Sequence, residues 1–318
     1  MTTPSSILPA LRGAARGAAH PAGIACVCGA RTLADRPDGT VVRHGDTVAK
    51  AHAPGTDAAE LELRLAVAAA PALHGVLLAP LLPAAAPLDG RLVTFWPHGA
   101  PVDPEHPEHA PWEAAATLLA RLHTTPAHEL PAGLPPMRGP EKAARAVARL
   151  LAGAPDHRAA APVLAAWRTL PPWARAEAPG PHGRTLCHGD LHLGQLVRHP
   201  ADTGEWLLID IDDLGTGDPA WDLARPAAWF ACGLLPAEDW TRFLSAYQRA
   251  GGAKELTVDD PWPALDVPAR ALTVQTAALA VTKAVAAGRD LDEVEEAVID
   301  ACARMVSLPP PLGEDGAK

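Results

Sequence analysis

The sequence predicts an α+β chain in two lobes: a small N-terminal lobe built on an antiparallel sheet, residues 1–97, and a larger, mostly α-helical lobe, residues 98–318. Three observations carry this. Short runs that alternate apolar and polar residues crowd the first 97 positions, with turn formers such as Arg36-Pro37-Asp38-Gly39 between them. Beyond Pro111 the apolar period lengthens to that of amphipathic helices. Finally, 318 residues of which 48% are hydrophobic are ample for a sizeable core.

Taken in order, residues 1–23 carry a short apolar stretch, Ile7-Leu8-Pro9-Ala10-Leu11, expected to cap the small lobe as a helix. Residues 24–33, 39–42 and 47–52 alternate as strands. A helix over 57–70 follows, with Thr56 or Asp57 as N-cap and Leu61 and Leu65 on one face. Val76-Leu77-Leu78 and residues 91–96 read as further strands split by a Pro-rich turn, the second leading into a hinge at Pro97-His98-Gly99. Past the hinge, Pro111-Trp112-Glu113 opens a helix running through Leu118, Leu119 and Leu122 to His123, a residue read as a satisfied core or capping histidine. Residues 126–138 are a Pro-rich surface connection, and helices are expected near 141–152, 158–169 and 236–249. A long helical pattern over 269–306 is broken near Gly288-Arg289-Asp290, and the tail from Pro309 is expected to be mobile.

The chemistry concentrates in two neighbouring stretches, Cys187-His188-Gly189-Asp190-Leu191-His192-Leu193-Gly194-Gln195 and Leu208-Ile209-Asp210-Ile211-Asp212-Asp213. Residues 196–198 and 206–209, joined by a turn at 201–204, look like a β-hairpin that returns Asp210 towards Gln195 at its open end. Asp190 offers a carboxylate to orient or deprotonate an acceptor hydroxyl, while Gln195 and Asp210 offer a neutral and an anionic oxygen to a hard cation such as Mg²⁺. That set is what phosphoryl transfer from a metal-bound triphosphate requires. Asp212 is placed to bridge a second ion. A dimetal phosphoesterase, the rival for Gly189-Asp190-Leu191-His192, would want an Asn-His pair downstream, and this chain contains no Asn.

His188-Gly189-Asp190-Leu191-His192, Ile209-Asp210 and Gly217-Asp218-Pro219-Ala220-Trp221-Asp222-Leu223-Ala224 together resemble the aminoglycoside phosphotransferase and choline kinase family. Gln195 stands where most of that family carries Asn, and His192-Leu193-Gly194-Gln195 is similar to the maltokinase branch, while Asp210-Ile211-Asp212-Asp213 followed by Gly217-Asp218-Pro219-Ala220-Trp221-Asp222-Leu223-Ala224-Arg225-Pro226 looks closest to the maltokinase-like glucosamine kinases. The resemblance implies a bilobal protein-kinase-like fold, ATP as co-substrate with Mg²⁺, and Asp190 as base, with Gln195, Asp210 and Asp212 at the metal. Val48-Ala49-Lys50 looks like the strand whose lysine contacts the nucleotide phosphates. Glu60 and Glu62 are both candidates to pair with Lys50, and Thr94, Phe95 and Trp96 lead into the hinge where the nucleotide would lie. No Gly-x-Gly-x-x-Gly loop precedes Lys50.

Five aspartates, at 210, 212, 213, 218 and 222, fall within thirteen residues, more than metal binding needs. Asp218 before Pro219 suits a turn, and Asp222 resembles the aspartate that fixes the catalytic loop through backbone hydrogen bonds. Asp213 is left to attract an ammonium group, so an amino sugar, glucosamine first, is the expected acceptor, with maltose or an aminoglycoside as alternatives. His192, Asp218, Trp221, Arg225 and Trp229 complete the candidate acceptor site: the indoles would stack on a sugar ring or belong to the core, and Arg225 would pair with one of the aspartates. A non-catalytic nucleotide or sugar sensor is the alternative that Gln195 keeps open.

Formal net charge is −10, which argues against general nucleic-acid binding. The five cysteines, at 26, 28, 187, 232 and 302, lack Cys-x-x-Cys spacing and read as reduced thiols, with Cys26 and Cys28 as core or edge residues of a strand. No leader-like segment and no run of membrane-spanning length is seen, so a cytoplasmic protein is expected.

Overall fold

The computed structural model describes residues 7–20, 25–180 and 183–307. Expectations for the residues before 7, for Ile24 and for the tail from 308 lie outside them. The described chain forms two compact units that do not follow a single cut at residue 97: one comprises residues up to 111 together with 125–135 and 193–212, the other 112–124, 136–192 and 213 onwards.

The first unit is built on a five-stranded antiparallel sheet in the order β1-β2-β3-β5-β4, from β1 (Ala30–Arg36), β2 (Gly39–His44), β3 (Thr47–His52), β4 (Ala86–Leu88) and β5 (Arg91–Pro97). Helix α1 (Leu8–Ala19) lays Leu11 and Ala15 against Val42, Ala49, Ala51, Val93 and Phe95, which form the apolar centre of this unit. Helix α2 (Ala58–Ala68) starts where the Asp57 side chain accepts from the Glu60 N–H. The unit also holds a small sheet in which β6 (Ala100–Pro101) pairs with β8 (Leu196–His199), and β8 with β9 (Glu205–Leu208). The hairpin expected from the sequence is therefore present.

Three strand expectations are corrected. Residues 25–29, with Cys26 and Cys28, are not in a strand, and β1 begins at Ala30 and runs on to Arg36. Val76-Leu77-Leu78 does not join the main sheet; it bridges to the hairpin, Leu78 N–H donating to the Leu208 carbonyl and Leu208 N–H to that of Val76. The outer strand β4 comes instead from the Pro-rich stretch, where Pro87 is tolerated because an edge strand needs hydrogen bonds on one side only.

The second unit holds α3 (Trp112–His123), α4 (Gly139–Gly153), α5 (Ala160–Thr169), α6 (Ala220–Ala231), α7 (Ala237–Arg249), α8 (Trp262–Ala287) and α9 (Glu293–Met305), together with a two-stranded ribbon that α3 packs against. The long α8 supplies the central buried face, from Leu265 to Ala284, against α4, α6 and α9. It stops at Gly288, in the left-handed conformation with φ 61°, which bears out the break read there. Strands β7 (Thr185–Cys187) and β10 (Gly215–Gly217) pair antiparallel and so bring Gly189 beside Asp213. Among the described residues no helix is long and apolar enough to cross a membrane.

Candidate active site

In the first unit the hairpin does what its sequence implies. Ile209 N–H donates to the Gln195 carbonyl, one step beyond the Leu196–Leu208 pair, and the Gln195 amide lies 3.5 Å from Asp210 Oδ2. Asp210 adopts a left-handed conformation, φ 69°, which aspartate tolerates better than most residues because its short side chain bonds locally; here Oδ1 accepts from the Asp212 N–H. Such a conformation costs on the order of 1–3 kcal/mol, and residues held in it cluster at active sites and ligand clamps.

Lys50 ends in this group. Its Nζ is 2.7 Å from Asp210 Oδ1 and 2.9 Å from Asp212 Oδ2. Burial alone would lower the lysine pKa, but the two carboxylates outweigh it and hold the ammonium well above its ordinary value. Asp212 is correspondingly held far below the usual carboxylate range, Lys50 opposing its burial. His52, two residues along β3 and so on the same face, places Nδ1 2.8 Å from Asp212 Oδ1 and Nε2 2.9 Å from the Thr94 hydroxyl. The Trp96 indole N–H donates to that same hydroxyl.

Several expected partners lie elsewhere. Glu60 pairs with Arg64 at 3.1 Å, one helical turn on, and Glu62 is exposed, so neither glutamate is the partner of Lys50. Thr94 stands opposite Lys50 in the β3–β5 register, its hydroxyl taken by His52 and Trp96. Phe95 points into the apolar centre under α1, which leaves only its backbone to offer a nucleotide.

In the second unit the loop bearing Asp190 is fastened from behind. Asp222, buried in the first turn of α6, accepts from the His188 N–H at 2.6 Å and the Gly189 N–H at 2.7 Å. Its Oδ2 also lies 3.0 Å from His123 Nε2, and His123 Nδ1 lies 2.7 Å from the Tyr247 hydroxyl. Burial would raise the Asp222 carboxyl, yet these donors keep its pKa below the ordinary value. Gly189 has φ 81°, and a Cβ there would stand 2.3 Å from the Asp213 carbonyl oxygen, so only glycine fits the turn.

Asp190 projects beyond this fastening, its side chain 30% exposed. Arg225 Nη2 reaches its Oδ1 at 2.9 Å while Arg225 Nε donates to the Leu191 carbonyl, and Lys142 Nζ is 3.2 Å from the same Oδ1. Burial favours the neutral acid; Lys142, Arg225 and His192 prevail, and the Asp190 carboxyl ionises below its usual range. Lys142 also reaches Asp213 at 2.7 Å, and Arg138 grips Asp213 at 2.6 Å. The carboxylate expected to await a substrate ammonium thus already has two cations of its own chain.

The remaining candidates divide. Asp218 accepts from the Ala220 N–H, and burial raises its pKa. Trp221 is a core residue, edge-on to Trp173 and flush against Gly139, where a Cβ would lie 2.6 Å from the indole. Trp229 is half-buried and lines a crevice with Arg225, Leu272 and Thr276. Lys142, Arg138 and His52 are contributions the sequence reading missed; the one available signal was that Lys142 is among only five lysines.

The profile of the phosphotransferase enzyme family matches residues 38–266, and the chain belongs to that family. It is a small-molecule kinase, with ATP as phosphoryl donor and a hydroxyl as acceptor. Solved structures share its fold. A choline/ethanolamine kinase family protein from Mesorhizobium loti is 21% identical, with 96% of each chain covered and a TM-score of 0.58. Choline kinase LicA from Streptococcus pneumoniae is 15% identical over 88% of this chain and 93% of that one, TM-score 0.55. A thermostable mutant of aminoglycoside phosphotransferase APH(4)-Ia gives 15% over 88% and 94%, TM-score 0.56. No curated protein sequence matches the chain.

The family's Mg²⁺ suits the donors present. Gln195, Asp210 and Asp212 offer hard oxygens at the hairpin end, with His52 behind Asp212. When bound, such an ion neutralises and orients nucleotide phosphates.

Proposed function

We propose that this chain transfers the γ-phosphoryl group of ATP to a hydroxyl of a small amino sugar, glucosamine first, with Asp190 as base. One observation carries the base assignment: Asp190 is ionised, reachable, and set on a loop whose backbone Asp222 holds rigid. Asp190 takes the acceptor proton as the acceptor oxygen attacks the γ-phosphorus, and ADP leaves in line. Arg225 and Lys142 keep the carboxylate in place and ionised. On the nucleotide side, Lys50 would contact the phosphates, and Gln195, Asp210 and Asp212 would hold the ion, which would neutralise phosphate charge.

The amino-sugar assignment draws on the likeness of Asp210-Ile211-Asp212-Asp213 and the following Gly217-to-Pro226 stretch to the maltokinase-like glucosamine kinases. A neutral sugar such as maltose is favoured by a different observation, the engagement of Asp213 by Arg138 and Lys142. The deciding experiment offers glucosamine, maltose and an aminoglycoside with MgATP, and reads ADP release together with the mass of the phosphorylated product. Glucosamine phosphate supports the first reading; a product from maltose alone transfers the assignment to neutral sugars. Nucleotide binding without product from a broad panel of hydroxylated acceptors would mean a sensor.

A further inference from the structure

Apart from the kinase centre, four metal-ligating side chains meet in the first unit. His20 follows the last residue of α1, Cys26 and Cys28 precede β1, and His44 ends β2. One donor atom from each lies within 4.8 Å of all the others. Cys26 Sγ is 3.2 Å from His44 Nε2, the His20 and His44 rings stand edge-on at 5.2 Å, and Cys28 Sγ lies over Gly45.

We propose that His20, Cys26, Cys28 and His44 form a structural site for a thiophilic divalent ion, Zn²⁺ by preference. Two thiols and two imidazoles are a donor set that hard cations avoid and zinc favours. Zinc bond lengths place tetrahedral ligands ~3.3–3.8 Å apart, so the observed cluster needs only a modest contraction. A second, independent observation points the same way: His20 Nε2 is buried and makes no hydrogen bond among the described residues. A buried nitrogen without a partner is costly, and coordination satisfies it.

The other cluster of this kind, His123, Cys187 and Asp222, is different, because both His123 nitrogens are already engaged by Tyr247 and Asp222. The four-ligand cluster joins the end of α1 to the sheet on which Leu11 and Ala15 pack, so an ion there staples helix to sheet. Nothing in phosphoryl transfer uses it, and its test is independent of the kinase assignment.

Untagged full-length protein, purified without chelators, is analysed for metal by mass spectrometry. About one zinc per chain is expected, lost in Cys26→Ser/Cys28→Ser and retained in Cys232→Ser. Should the double variant fail to fold, wild-type protein stripped by chelator and given Co²⁺ is read instead, and a thiolate-to-cobalt charge-transfer band that His20→Ala weakens is expected. Metal-free protein that gives no such band overturns the proposal. So does zinc content unchanged by the cysteine substitutions, or a Cys26–Cys28 disulfide in the purified chain.

Discussion

Lys142 is the residue on which the electrostatics of the second unit turn, since one ammonium spans Asp190 and Asp213 at 3.2 and 2.7 Å. Removing the Asp190 carboxylate should lower turnover by on the order of 10²–10⁴ in Asp190→Ala, with ATP affinity little changed, as measured by ADP release and nucleotide titration. The pH dependence follows from the same contacts. Because Lys142 and Arg225 depress the Asp190 pKa against burial, the acid limb of kcat/KM should lie below the ordinary carboxylate range. Lys142→Met leaves burial in place and removes a cation, so that limb should move to higher pH; a profile that stays put would sever Lys142 from the base. That Gln195 and Asp210 would meet at the end of a hairpin was legible from residue type and spacing along one short stretch. Lys142 was not, because its partners lie 48 and 71 positions away and no local pattern marks a lysine in a first helical turn as anything but solvated. Glu60 failed for the converse reason: a glutamate four residues before Arg64 is satisfied within its own helix.

At the scale of elements, turns and caps were read well and weak strands poorly. Gly288 and Asp57 mark ends that local chemistry dictates, whereas the fate of Val76–Leu78 depends on which edge lies nearby, which periodicity does not encode. Helix α9 carries a full capping box, Asp292 and Glu295 bonding each other's backbone N–H. Asp292→Ala should therefore cost ~0.5–2 kcal/mol in urea unfolding. In the loop between β10 and α6, burial disfavours the charge on Asp218 while its Oδ1 accepts from the Ala220 N–H. Asp218→Asn keeps the acceptor and discards the charge, so the variant should melt at or above the wild-type temperature at pH 7; a marked fall would reveal a partner that needs the anion.

For the molecule as a whole, acid is the sensitive direction. Asp190, Asp222, Glu113 and Glu295 all have folded-state pKa values below the ordinary range, Glu295 at about 2 through Arg289. A depressed carboxylate adds stability that is complete above its unfolded pKa, roughly 4, and is lost as pH falls through the folded value. Asp218, shifted upward, acts with the opposite sign and gains as pH falls. The four outnumber it, so unfolding free energy should hold from neutrality to about pH 5 and decline below about pH 4, as urea titrations at stepped pH would show. The two-lobe α+β class was legible because strand and helix periods separate along the chain, but the interleaved boundaries were not: they depend on where the 193–212 hairpin packs. Lys50 draws its counter-charges from that distant segment rather than from its own N-terminal neighbours. Neither body can therefore be inherited as a cassette. Recombination that moved only the leading hundred residues into another gene would strand a buried ammonium, so this architecture should diversify by substitution within an intact frame rather than by shuffling of its halves.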